Sequence, residues 1–108
     1  MEARNGLLAT MALLLSVAPA LADQRAGEGQ QKSVQCIACH GGQGLAPNPT
    51  FPHLAGQNAA YLEIQLRKFR AGERYHPLMT PVAESLSDQD IDALAAYYSE
   101  LRPQAEGR

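Results

Sequence analysis

Cys36-Ile37-Ala38-Cys39-His40 constrains this chain more than any other stretch. Two thiols three residues apart, followed at once by an imidazole, form the C-x-x-C-H spacing that attaches a c-type haem. Each thiol can add to one vinyl group on the porphyrin edge. The histidine that follows then lies beneath the ring with a nitrogen at the iron. Cys36 and Cys39 are the predicted tethers of one covalent haem c, and His40 the predicted ligand of its iron. A chain this short must then fold around a large apolar plate.

Two other readings of the pair compete. A C-x-x-C redox disulfide is normally accompanied by a βαβ pattern, which this sequence lacks. Half of a zinc site would need His40, His53 or His76 to complete it, and their spacing fits no common zinc arrangement. The first residues also favour haem. Arg4 gives a short positive start, Gly6 to Val17 is almost wholly apolar, Pro19 breaks the run, and Ala20-Leu21-Ala22 is an A-x-A cleavage site. Residues 1–22 are predicted to be a secretory signal peptide and 23–108 a single domain beginning at Asp23. The apolar run falls short of the ~20 residues that cross a bilayer. No membrane span is therefore expected after cleavage.

The domain left by that cleavage is small. Chains of this size bury only about 60–65% of their surface and often need a staple. A bonded haem is one, so the apoprotein is expected to be largely unfolded or molten. The net charge of −2 gives no reason to expect a nucleic-acid partner. Charge is uneven along the chain: Arg67, Lys68, Arg70 and Arg74 cluster ahead of Glu84, Asp88, Asp90 and Asp92. That order predicts a molecular dipole and a basic face able to steer a partner.

Along the chain, Asp23 to Gln35 reads as a helix capped by Asp23, with Gly27 and Gly29 marking close approach by another element. Gly41 to Pro52 holds too many glycines and prolines for regular structure. Asn58 is a plausible helix cap, and Tyr61, Leu62, Gln65, Leu66 and Phe69 follow with helical periodicity up to Gly72. Arg74 to Pro81 is predicted to be a loop stiffened by Pro77 and Pro81. The last helix is capped by Ser87, carries Asp88 and Asp90 in its first turn, repeats Ile91, Leu94, Ala95, Tyr98 and Leu101, and stops at Pro103. No strand pattern appears.

A second axial ligand must come from Met79, His53 or His76. Met79 is the only methionine left after the leader, and its loop lies between two helices, so the chain can pass round the ring. A thioether there stabilises ferrous iron and raises the potential. Met79 is the predicted second ligand; His53 and His76 read as surface histidines.

Taken together, Cys36–His40, Pro52-x-Leu54-Ala55-Gly56-Gln57, Tyr61-Leu62-x-x-Gln65-Leu66-x-x-Phe69-Arg70-x-Gly72, Met79 and Leu86-Ser87-Asp88-x-Asp90-Ile91 resemble a class I cytochrome c. The likeness is greatest to one half of the dihaem cytochromes c of bacterial periplasms, or to their small monohaem relatives. It covers almost all of the chain after the leader. It implies an all-α fold with three main helices and loops wrapped around one covalent haem. It also implies that the Pro52 carbonyl accepts a hydrogen bond from His40. The first and last helices would cross near Gly29, beside Tyr97 or Tyr98. Tyr61, Gln65 and Arg74 are the implied neighbours of the haem propionates.

The function implied is that of a periplasmic carrier of single electrons between redox proteins, monomeric and without a catalytic site of its own. A haem-bearing subunit of a periplasmic dehydrogenase or oxidase complex is the alternative. A small peroxidase would need an open axial position, against which Met79 argues.

Overall fold

The computed structural model describes residues 17–103. Its elements run α1 (Val17–Lys32), a 3₁₀ turn (Ser33–Cys36), α2 (Ile37–His40), α3 (Ala59–Ala71), α4 (Met79–Glu84) and α5 (Asp88–Glu100). No strand occurs among the described residues. The architecture is the all-helical one expected, with α1, α3 and α5 as its three main helices.

The last helix is the centre of the core because its sequence repeats apolar residues on one face. Ile91, Leu94, Ala95 and Tyr98 are all buried, and Leu62 from α3 and Leu86 from the α4–α5 connection complete the cluster. Each large apolar side chain removed from water this way stabilises the fold by roughly 1.5–3 kcal/mol. Ser87 starts α5 with a reciprocal cap: its hydroxyl accepts from Asp90 N, and Asp90 Oδ2 accepts from Ser87 N, each at 3.0 Å. Two of the helix's orphan donors are satisfied at once. At the other end Leu101 is already extended, two residues before Pro103.

Helix α1 packs against α5 at Gly29, which is buried. A Cβ built there would stand 2.0 Å from Ala93 O and 2.7 Å from Tyr97 Cβ, so the backbones meet more closely than any side chain permits. Lys32 Nζ reaches Asp90 Oδ2 at 3.3 Å one turn further on. Asp23, read above as the cap of this helix, is instead an interior residue, because α1 begins at Val17. Ala18, Ala20, Leu21 and Ala22 are strong helix formers. Pro19 falls in the first turn, where its missing N–H has no intrahelical partner to lose. The apolar part of the predicted leader, up to residue 16, lies outside the described residues.

Helix α3 has the ends its sequence announces. Asn58 Oδ1 accepts from Tyr61 N at 3.1 Å, and Gly72 turns left-handed at φ 77°. The segment Arg74–Pro81 departs from expectation. It is not loop throughout: α4 starts at Met79 and takes in Pro81. Pro81 is the third residue of that helix, a position whose N–H is unpaired in any case, so the proline stiffens the turn without breaking it.

The charge clusters also behave differently in three dimensions. Helices α3 and α5 lie side by side. Arg67 bonds Asp88 at 2.8 Å and Asp92 at 3.0 Å, and Arg70 bonds Asp88 at 2.6 Å. Arg70 also donates to Leu86 O at 3.1 Å. Segregation along the sequence thus becomes neutralisation in space, and the predicted dipole and steering face lose Arg67 and Arg70.

Candidate functional site

The C-x-x-C-H motif spans the junction of the 3₁₀ turn and α2. Cys36 ends the turn, and Cys39 and His40 end the helix. Ser33 anchors the entry by donating from Oγ to Gln30 O at 2.7 Å. Cys36 packs against the core cluster while remaining half-buried. That burial pushes its thiol up from the ordinary range. Cys39 is half-buried too. Both thiols are free, and they share the short helical stretch that carries the imidazole.

The glycine-rich loop after His40 is folded back on itself. Gly44 O accepts from Leu54 N at 2.8 Å and from Ala55 N at 3.0 Å, which closes its neck. Gly56 N then donates to Tyr98 O at 2.9 Å, fastening the end of the loop to α5. This closure holds Pro52 over the motif. His40, only 6% exposed, donates from Nδ1 to Pro52 O at 2.9 Å. A carbonyl can only accept, so Nδ1 carries the proton and Nε2 keeps its lone pair.

The other two histidines are set the opposite way. His53 Nδ1 accepts from Ala46 N at 2.8 Å. His76 Nδ1 accepts from Leu78 N at 3.1 Å and Met79 N at 3.3 Å. A backbone N–H can only donate, so in both rings the proton sits on Nε2 and the Nδ1 lone pair is engaged. Of the three imidazoles, His40 alone has a nitrogen lone pair ready for a metal. The spacing singles out His40, but these backbone partners and the tautomers they set are invisible to it.

The remaining predicted residues divide. Met79 is half-buried at the first position of α4. Gln65 and Arg74 are brought together: Arg74 Nη1 donates to Gln65 Oε1 at 2.8 Å, and its guanidinium lies 4.4 Å above the Phe69 ring. Tyr61 stays 47% exposed on the outside of α3. Phe51 approaches His40 with a ring separation of 6.4 Å.

The donor set fits a covalent haem: two thiols and an imidazole with a free lone pair follow one another, and Met79 offers a thioether at the start of α4. The apolar surface fits as well. Val34 and Leu45 flank the motif, Ile37 lies within it, Tyr75 and Leu78 precede Met79, and all five are exposed at 40% or more. Large apolar side chains left out of the core on those two segments suit a plate packed between them. Among the described residues no three His, Cys, Asp or Glu side chains form a metal-binding group, so the zinc reading lacks its ligands.

Residues 22–97 match the family described as cytochrome c oxidase, cbb3-type, subunit III. Cytochrome c-554(548) of Halomonas halodenitrificans is 51% identical over 79 residues, covering 68% of this chain and 93% of that protein. A thiosulfate dehydrogenase electron acceptor of Stutzerimonas stutzeri is 39% identical over 95 residues, covering 83% of this chain and 44% of that one. The crystal structure of reduced cytochrome c4 from Pseudomonas stutzeri superposes with a TM-score of 0.66 at 34% identity, over 74% of this chain and 50% of its own. The chain thus spans nearly the whole of the first relative and about half of the other two.

Proposed function

This chain belongs to the cytochrome c family, and from that premise we propose that it is a periplasmic monohaem electron carrier whose iron is held by His40 and Met79. The observation that carries the reading is the His40 Nδ1 to Pro52 O bond, which leaves Nε2 available directly beside two cysteines. A bound haem supplies a one-electron iron couple. The residues do the rest. Cys36 and Cys39 tether the ring so that it stays with the chain through each cycle. Pro52 fixes the tautomer and orientation of His40. Met79 offers the thioether that favours the ferrous state. Gln65 and Arg74, already bonded to each other, are the polar groups proposed to meet the propionates, with Tyr61 nearby on the same helix.

Periplasmic location rests on the leader and its Ala20-Leu21-Ala22 site, and the mature chain is proposed to start at Asp23. No helix among the described residues is long and apolar enough to cross a membrane. The partners are redox proteins. A second reading, a subunit docked on a dehydrogenase, is favoured by the similarity to the thiosulfate dehydrogenase electron acceptor.

The test is to express the chain with a haem-attachment system, denature it and extract with acidified organic solvent. Haem should stay with the protein, and Cys36→Ala together with Cys39→Ala should release it. Redox titration should give a single one-electron wave. Loss of haem from denatured wild type overturns the reading. Elution as a small monomer favours the carrier; co-elution with a catalytic partner favours the subunit.

A further inference from the structure

Helix α4 is six residues long and its N-cap is Leu78, which has no side-chain acceptor. The first N–H groups of a helix need partners from elsewhere. Here one side chain supplies them. The His76 ring turns back over the following turn and accepts from Leu78 N at 3.1 Å and Met79 N at 3.3 Å. The same residue is tied to Thr80 through its main chain: His76 N donates to Thr80 Oγ1 at 2.9 Å, and Thr80 N donates to His76 O at 3.0 Å. Thr80 is buried, and its hydroxyl in turn donates to Arg74 O at 3.4 Å. Met79 therefore sits between two residues, Leu78 and Thr80, that are each bonded to His76, and its own N–H goes there too.

We propose that His76 is the positioning residue for Met79: its imidazole and main chain clamp the turn that presents the thioether. The inference rests on Met79 being the iron's second ligand. A single thioether is a neutral, one-point donor, and how often it stays in place depends on how narrowly its backbone is confined. Removing the clamp returns freedom to the turn, so the thioether spends more time away and an outside ligand enters more often. His76 is exposed and outside the core cluster, and its Nδ1 lone pair is engaged by backbone amides. Its ring bonds go to the amides of Leu78 and Met79 alone.

The experiment uses the haem-loaded protein in four forms: wild type, His76→Leu, His76→Asn and Met79→Ala. Free imidazole is the probe ligand, mixed rapidly with the ferric protein. Amide hydrogen exchange at residues 78–80 is followed separately. His76→Leu is expected to admit imidazole about tenfold faster, the factor that corresponds to about 1.4 kcal/mol. Its Met79 amide should exchange faster by a similar factor, while the thioether-to-iron absorption band remains. His76→Asn keeps an acceptor at reach of the same amides and should stay near wild type. Met79→Ala should bind fastest and lack the band. If His76→Leu binds at the wild-type rate while Met79→Ala is fast, His76 has no positioning role. If both His76 variants accelerate equally, the acceptor atom is not responsible and the proposal falls. If Met79→Ala binds no faster than wild type, the ligand assignment itself is wrong, and the two failures are told apart.

Discussion

Gly29 meets Ala93 backbone to backbone: a methyl group at residue 29 would lie 2.0 Å from the carbonyl oxygen of Ala93. The obstacle is backbone, which cannot rotate away as a side chain tip can. Gly29→Ala must therefore push α1 off α5, and overpacking of this kind costs about 1–3 kcal/mol. A lower denaturant midpoint, with Gly27→Ala unaffected or slightly stabilised, is the expected result. Position 27 has open space around it, and alanine is the better helix former by about 1 kcal/mol.

Tyr98 carries a buried hydroxyl that no group of the protein bonds. Cys36 and Ser33 lie close enough to influence it without a hydrogen bond of good geometry. A buried donor without a partner is a cost already present in the native state. Tyr98→Phe is expected to leave thermal stability unchanged or to raise it by up to ~1 kcal/mol, an unusual outcome for a core tyrosine. Burial also pushes the phenol well above its ordinary range. The folded state resists ionisation, so its stability is complete below the unfolded value near ~10 and declines as pH rises past it. Unfolding midpoints measured on the alkaline side should fall less steeply in Tyr98→Phe.

Asp90 gives the opposite limb. The hydrogen bond from Ser87 N, with help from Lys32, holds its carboxyl below the usual value. Its stabilisation is present above the ordinary carboxylate pKa of ~3.9 and is lost as pH falls through the lower folded one. Asp90→Asn should flatten the stability profile in acid and weaken the cap of α5. Midpoints collected from neutral pH down to the acid transition test this; parallel curves for mutant and wild type would remove Asp90 from the account.

Arg70 and Lys68 are two residues apart and should respond differently to truncation. Arg70 bridges Asp88 and the Leu86 carbonyl, whereas Lys68 is in no ion pair among the described residues. Exposed pairs are worth about 0–1 kcal/mol. Arg70→Ala should thus cost about 1 kcal/mol and Lys68→Ala nothing measurable. Partner electron-transfer rates against ionic strength give the complementary readout. Of the α3 cations, Lys68 is the one whose reversal should change the salt slope without a stability loss.

How legible was this in the residues? Helix α5 was open to reading end to end, because Ser87, Asp90 and the Ile91–Leu101 repeat are local signals that tertiary contacts only reinforce. The motif residues were legible for the same reason: covalent chemistry fixes their spacing. Helix α4 was hidden by Pro77 and Pro81, since a proline read as a breaker is harmless in a first turn. The pairing of Arg67 and Arg70 with Asp88 and Asp92 was hidden because distance along a chain says nothing of distance between packed helices. The motif set His40 apart from His53 and His76, but the nitrogen that carries each ring's proton follows from backbone partners the sequence does not show.

The crossing at Gly29 has a consequence in time. α1 and the Cys36–His40 motif precede α5 in the chain, and the core cluster against which Cys36 packs is built largely from α5. Closing so long a loop carries an entropic cost that grows slowly with length, about 0.6 kcal/mol per doubling. It is met only when α5 docks on α1. Until then the two cysteines stand on a short, unsupported stretch of chain. The order of elements thus opens a window for modifying the thiols that narrows when Ala93 reaches Gly29 and Cys36 packs against the core.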